Sequence, residues 1–409
     1  MKKFEIPDIY KSPIISRIKE YRKYNDSRKK DFKPAMLDFG PVRFLVARHF
    51  GFCYGVENAI EISARIIREN PDKRIFLLSE MIHNPSVNEE LLSHGVRFIT
   101  DTSGNQLIEW DELNNDDIVI IPAFGTTLEI ENKLEKIGID IRQYNTTCPF
   151  VEKVWNRSAQ LGKENYTIII HGKSYHEETR ATFSHSRRNA PSLIVRNLEE
   201  TKILGKTITG EITDEEFYQY FQNKYSQGFK VEDDLVKIGV VNQTTMLATE
   251  TREIAGYLKN IMVKKYGREN IGNHFADTKD TLCYATYDNQ ESTYGLLKEK
   301  ADFAVVVGGY NSSNTSHIAE LCSAELPTYF ISGPEKIISE KSISHFDVHE
   351  KIEKVTKDYL PLKKPVDIML TSGASCPDSL VDGVLVKILS FFDDVRDVDD
   401  VVGEYSGEK

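Results

Sequence analysis

Apolar residues along this chain recur at two spacings, and each change of spacing marks an element boundary. Behind Cys53, Cys148 and Cys283 run GFCYGVENAIEISARIIRE, TTCPFVEKVWNRSAQLGKE and TLCYATYDNQESTYGLLKE. Each predicts about four helical turns, with Val151, Val154, Trp155 and Leu161 on one face of the second. Pro149 suits the first helical position, where its missing N–H costs nothing. After each helix comes a β-rich run ending in a polar tip: RIFLLSEMIHN, YTIIIHGKSYHEE and ADFAVVVGGYNSSNT. The distances hold: 30 residues from Cys53 to His83, 28 from Cys148 to His176, 29 from Cys283 to Ser312. Farther on, DIVIIPAFGTT, VKIGVVNQTT and VDIMLTSGAS each predict a second short strand with a small-residue tip.

This is a divergent triplication, legible in order and spacing and not in residue identity. Strands alternating with helices predict an α/β fold: three similar modules with mainly parallel sheets, arranged pseudo-threefold about a central site. In such sheets ligand-facing groups collect beyond the carboxyl ends of the strands, so the six tips are expected to crowd one place if the three modules face each other. The expected divisions are an N-terminal arm (1–40), modules at 41–147, 148–280 and 281–390, and an acidic tail (391–409). The middle module carries an insertion near 201–235, where EEFYQYFQNKYSQGFKVEDD reads as surface structure.

Charge and composition narrow the function. A net charge of −11 argues against a nucleic-acid surface and against attraction to anionic membranes. No apolar run approaches a membrane span, and the basic opening segment is broken by Glu5, Asp8, Glu20 and Asp26, unlike a transit peptide. The arm therefore reads as a surface arm or helix, the tail from Asp393 as a solvated face or disordered end, and the compartment as cytoplasm.

Five cysteines are too few and too odd in number for a disulfide framework. Three of them precede helix N-termini, where backbone N–H groups and the helix dipole favour a thiolate. Structural zinc usually takes ligands in close CxxC pairs, and none exists here. Ligands 95 and 135 residues apart suit a larger inorganic cluster. A [4Fe–4S] cube held by three thiolates leaves one iron open, able to act as a Lewis acid and an electron source. The other tips supply His83, His176, Glu178, Gln243, Thr244, Ser312, Ser313, Asn314 and Ser375, with Lys173 the nearby ammonium. Many modest donors of this kind suit phosphate oxygens, and NSSN before a helix resembles a helix-terminus phosphate cradle. Taken singly, His83 reads as a capping or core histidine, NSSN as a turn with an N-cap, and Glu178 as a solvated carboxylate. Recurrence at matching places in three modules favours the functional reading. Cys322 reads as core, and Cys376 as small-residue packing near the site.

GFCYGV, MIHN, TTCP, HGKSYHEET, NQTT, LCYAT, NSSN and SGASCPD stand in the order found in the LytB family of 4-hydroxy-3-methylbut-2-enyl diphosphate reductases. The chain resembles that family over about residues 42–390, and its arm, length and PAFG motif look most like the plant and cyanobacterial branch. The resemblance implies the last step of the methylerythritol phosphate route to isoprenoids. An allylic alcohol diphosphate loses its hydroxyl with two electrons and two protons, giving isopentenyl and dimethylallyl diphosphate. It further implies that Cys53, Cys148 and Cys283 hold the iron–sulfur cluster. His83, His176, Ser312, Ser313, Asn314 and Ser375 would hold the diphosphate, with Gln243 also among the substrate-binding residues. Thr244 would sit by the substrate hydroxyl, and Glu178, two residues after His176, would be the proton donor in preference to Glu177. Ferredoxin or flavodoxin is the electron donor that the family implies. One departure is Phe124, where many bacterial members carry a substrate-contacting histidine; the plant-like branch shares the phenylalanine.

Three rival readings differ from this one in kind. An iron–sulfur hydro-lyase acting on a phosphorylated substrate would need no reductant. A diphosphate-binding iron–sulfur sensor would need neither Glu178 nor Thr244. A cluster-free phosphate binder would need no matched cysteines.

Overall fold

A computed structural model describes residues 4–26, 31–276 and 281–406 of the chain. The expected boundary at residue 280 and the extreme ends of arm and tail lie outside those residues. The fold is α/β with mainly parallel sheets, and it divides into two compact units. The first comprises Met1–Ala64, Ile82–Glu90 and Tyr284–Lys409, and the second Arg65–Met81 and Leu91–Cys283.

Each strand pair expected from the sequence forms, and its members are parallel neighbours. In the second unit Ile75–Leu77 lies between Arg97–Phe98 and Ile118–Ile120, parallel to both. In the same unit Thr167–His171 lies between Ser192–Val195 and Ile238–Asn242, again parallel to both, and Phe275–Ala276 extends that sheet. In the first unit Phe303–Val307 lies between Thr328–Ile331 and Val366–Ser372, parallel to both. Three sheets thus share one strand order. Thr167–His171, Ile238–Asn242 and Phe303–Val307 are buried at every position, as strands covered on both faces must be. The sheet of the first unit grows beyond the common plan. Val42–Val46 adds in parallel and Ala35–Asp38 outside it antiparallel, while an antiparallel set built on Ser342–Asp347 adds at the other edge.

Two expectations about the periphery need correction, and the arm takes the helical of its two expected forms. The middle-module insertion is not simply a surface excursion. Phe217 and Phe221, one helical turn apart on Asp214–Tyr220 and its C-cap, are fully buried, and Phe229 and Val231 join them against Leu204 and Ile208. The acidic tail is not solvated throughout: Val398–Ser406 is a helix whose Val401 and Val402 enter the core of the first unit. The arm forms the helix Ile15–Asn25, with Ile15 and Ile18 in that same core. In all three cases a few apolar residues at helical spacing outweigh a predominantly charged segment. Among the described residues no helix is long and apolar enough to cross a membrane.

The arm is fastened by a buried carboxylate. Asp382, on the helix Asp378–Leu389, accepts from Ser12 Oγ at 2.6 Å and from the N–H groups of Ile14 and Ile15 at 3.1 Å each. It thereby satisfies donors at the start of the arm helix that no residue of that helix can reach. Burial pushes its carboxyl above the usual range, against the pull of the three donors. Asp382→Ala is expected to lower stability by on the order of 3 kcal/mol, since it strands buried donors. Asp382→Asn, which keeps an acceptor and buries no charge, is expected to lose much less. Urea unfolding midpoints of the two variants check both expectations.

Candidate active site

The predicted tips fall into two groups, each built within one unit. In the second unit, His171 ends a strand and the chain turns through 172–176 into the helix Glu177–Arg187. His176 caps that helix, its Nδ1 accepting the Glu178 N–H at 3.2 Å. An accepting Nδ1 places the proton of the neutral ring on Nε2, making that nitrogen a donor. Glu178 is buried, and both of its oxygens are engaged by one residue. Thr244 N–H donates to Oε1 at 2.5 Å and Thr244 Oγ1 to Oε2 at 3.0 Å. The carbonyl of Thr244 accepts the N–H of Cys283 at 3.2 Å. Acid, hydroxyl and thiol-bearing residue therefore form one hydrogen-bonded series.

Gln243 does something the sequence reading did not foresee. It is fully buried, its Oε1 accepting from Thr179 Oγ1 at 3.0 Å and the Lys173 N–H at 3.2 Å, while Nε2 donates to Thr245 at 2.8 Å. Its amide thus fixes the loop that presents Thr244. The signal was present in HEET, whose final threonine is Thr179. Phe124 meets the His176 ring edge to face, with centroids 5.7 Å apart, so it braces the imidazole.

Cys148 stands at the N-cap position of the helix Pro149–Lys163, with Pro149 at the first helical position, and its N–H donates to Ala123 O at 3.0 Å. The helix terminus does not win here. Burial pushes the Cys148 thiol up to about 11; the charges of Cys283 and Glu178 push the same way, and the N–H groups of Phe150 and Val151 offset only part. A partly buried thiol donor set suits a group that brings positive charge, because a bound cation deprotonates its thiols outright.

In the first unit, Ser312 caps the helix Ser313–Ser323, and its Oγ lies 3.3 Å from that of Ser375. Ser375 also donates to the carbonyl of His83 at 3.3 Å. Asn314 Oδ1 accepts the Ala374 N–H at 2.9 Å, while its Nδ2 is buried with no partner among the described residues. His83, Ser312, Ser313, Asn314 and Ser375 are all buried. An orphaned amide donor beside a serine-capped helix N-terminus fits an anion. Cys53 joins this group through its N–H, which donates to Ala374 O at 3.1 Å. The N–H of Tyr54, directly after Cys53, donates to the hydroxyl of Tyr284, directly after Cys283, at 3.2 Å.

None of the five cysteines forms a disulfide. Cys322 is fully buried in the core of the first unit, as expected, and Cys376, expected to pack near the site, is buried in that same core, whereas Cys53, Cys148 and Cys283 are partly exposed. Among the described residues no three His, Cys, Asp or Glu side chains are grouped to ligate a single ion. Thiols bound to different irons of one cluster have no need of that arrangement. Thiols are the donors that an iron–sulfur cluster takes.

The sequence pattern of the LytB protein family matches residues 44–389. The 4-hydroxy-3-methylbut-2-enyl diphosphate reductase of Prochlorococcus marinus (strain AS9601) is 39% identical over 352 residues, covering 86% of each chain. The enzyme of the same name from Gloeothece citriformis is 40% identical over 355 residues, covering 87% of this chain and 86% of the relative. Among solved structures, the E-1-hydroxy-2-methyl-but-2-enyl-4-diphosphate reductase of Plasmodium falciparum shares the fold with a TM-score of 0.60 and 22% identity, over 84% of this chain and 86% of that one.

Proposed function

The chain belongs to the LytB family, and from that premise we propose how its residues remove the hydroxyl of 4-hydroxy-3-methylbut-2-enyl diphosphate. As a member it is an oxidoreductase of isoprenoid biosynthesis. Two electrons and two protons enter. The allylic C–O bond breaks, the oxygen leaves as water with one added proton, and a carbon of the allyl unit takes the other. Isopentenyl and dimethylallyl diphosphate result. The electrons come from a one-electron carrier of the ferredoxin or flavodoxin kind, since no side chain of the site is a reductant.

Cys53, Cys148 and Cys283 would hold a [4Fe–4S] cluster, which when bound supplies the electrons and one iron without a thiolate. The Tyr54–Tyr284 hydrogen bond and the mutual influence of Cys148 and Cys283 support treating the three as one ligand set. The same reading takes 41–147, 148–280 and 281–390 as copies of one module, supported by the common strand order.

The observation that carries the proposal is the series Glu178–Thr244–Cys283. When Glu178 is protonated on Oε2, its bond to Thr244 reverses. The acid then donates to Thr244 Oγ1, and the threonine's own proton is directed to the substrate hydroxyl bound beside it. His83, Ser312, Ser313, Asn314 and Ser375, with the Nε2–H of His176, bind the diphosphate. Gln243 contributes by holding the Thr244 loop. Binding energy from the non-reacting diphosphate then orients the allylic carbon and excludes alternative poses.

The test is anaerobic turnover of the allylic alcohol diphosphate with and without reduced methyl viologen, with products resolved by mass spectrometry. Both isoprenyl diphosphates are expected only with reductant. A dehydrated product formed without reductant would overturn the proposal in favour of the hydro-lyase.

A further inference from the structure

The segment around Cys53 is held from a direction that the family's motifs do not include. In the arm helix Ile15–Asn25, Lys19 Nζ donates to the carbonyl of Phe50 at 2.7 Å and to Asp378 Oδ1 at 2.6 Å, and stands 4.3 Å from the centre of the Phe50 ring. Gly51 follows at φ +79°, and a Cβ there would collide with both the Asp378 carboxylate and the Lys19 ammonium. The positive φ favours glycine here, and a side chain would also have to displace this ion pair. Two more arm residues touch alternate positions of the same segment. Tyr10 packs edge to face on Phe52 at 5.6 Å, and Phe4 on Tyr54 at 4.9 Å. On its other side the segment is fixed by the Cys53 N–H to Ala374 O. Cys53 is thus gripped between the SGAS tip and the arm, and Lys19 lies outside the matched residues 44–389.

We propose that Lys19 is a positioning residue for the Cys53 thiol, and that through it the N-terminal arm sets how firmly this ligand is held. The inference rests on the reading that Cys53 is a cluster ligand. Lys19 touches neither the thiol nor the substrate. It fixes the backbone carbonyl three residues before Cys53 and seats the carboxylate against which Gly51 turns. Both partners are largely shielded from water, so the pair is stronger than a surface contact.

The test uses the full chain, purified anaerobically, as wild type, Lys19→Met and Lys19→Arg. Two quantities are read: hydrogen exchange at amides 51–54, and the rate of iron release to an excess of a ferrous chelator. In Lys19→Met both are expected to rise about tenfold or more, the loss of a charged hydrogen bond in a partly buried site. Amides 17–25 and those flanking Cys148 and Cys283 are expected to stay as in wild type, and Lys19→Arg to restore both readouts. Unchanged exchange at 51–54 in Lys19→Met overturns the proposal. So does exchange rising equally along the whole arm helix, because Lys19 would then only fasten the arm. Faster exchange with unchanged iron release overturns the role in ligand holding. If the wild type binds no iron, the cluster reading fails on its own, and the exchange data still decide whether Lys19 orders the segment.

Discussion

Replacing Glu178 by Gln is expected to lower kcat by about 10²–10⁴-fold, the usual contribution of a positioned proton donor, with KM and iron content unchanged. The geometry makes this variant informative. The amide oxygen can keep the Thr244 N–H now accepted by Oε1, and the amide NH2 can donate to Thr244 Oγ1 where Oε2 now accepts. The threonine hydroxyl needs only to rotate. Loop, cap and neighbouring thiols are therefore kept, and only the titratable proton goes. Thr244→Val removes the hydroxyl relay and leaves the backbone contact, so a smaller fall in kcat is expected. Glu177→Gln is the control. That carboxylate accepts a hydrogen bond from Ser79 and points into protein, so turnover is expected to stay near wild type. Steady-state kinetics with reduced viologen check all three. Near-normal turnover in Glu178→Gln would remove the acid from the mechanism.

How much of this was legible beforehand depends on how far apart the interacting residues lie. Six strands and three helices follow from local periodicity, and the helix-then-strand order recurs at nearly constant spacing, so the common plan of the sheets could be read directly. Arg97–Phe98, Ser192–Val195 and Thr328–Ile331, the third parallel neighbours, were not singled out. They are short, and their pairing is decided by the sheet they join and not by their own pattern. Glu178, Thr244 and the cysteines were found because motifs mark them. Their partnership was not, since Glu178 and Thr244 are 66 residues apart. Gln243 was placed on the substrate because of its motif, while its contacts tie it to Thr179 and Lys173. The reason for Gly51 was the least accessible. Lys19 comes from a segment that reads only as a charged arm, and Asp378 comes from the far end of the chain. A glycine shows that something approaches closely without showing what.

Cys148→Ser is expected to abolish measurable turnover and to strip most iron from anaerobically purified protein, because a serine oxygen is a harder, far less acidic ligand than a thiolate. The decisive comparison is with the two cysteines that pack. Cys322 and Cys376 lie in the core of the first unit, and burial pushes both thiols upward, Cys322 to about 12. They remain neutral and act as small apolar groups, so Cys322→Ala and Cys376→Ala should cost stability and keep iron. Cys53→Ser and Cys283→Ser should behave like Cys148→Ser. Cys148 itself is partly exposed, and its thiol, pushed up to about 11, is also neutral when no metal is bound. Exchanging it for serine should therefore leave the unfolding midpoint of metal-free protein within about 0.5 kcal/mol of wild type. Iron loss without destabilisation separates a ligand from a packing residue. Mössbauer spectra complete the argument. The wild type is expected to show one iron distinct from the other three and altered by the allylic alcohol diphosphate, whereas the Cys148→Ser variant should show no such site. Iron retained in full by Cys148→Ser, or a wild-type spectrum of four equivalent irons indifferent to substrate, would refute the three-thiolate assignment. The polar group around Ser312 and Asn314, proposed to bind the diphosphate, would then be the part of the site left standing, because its geometry does not depend on the cluster.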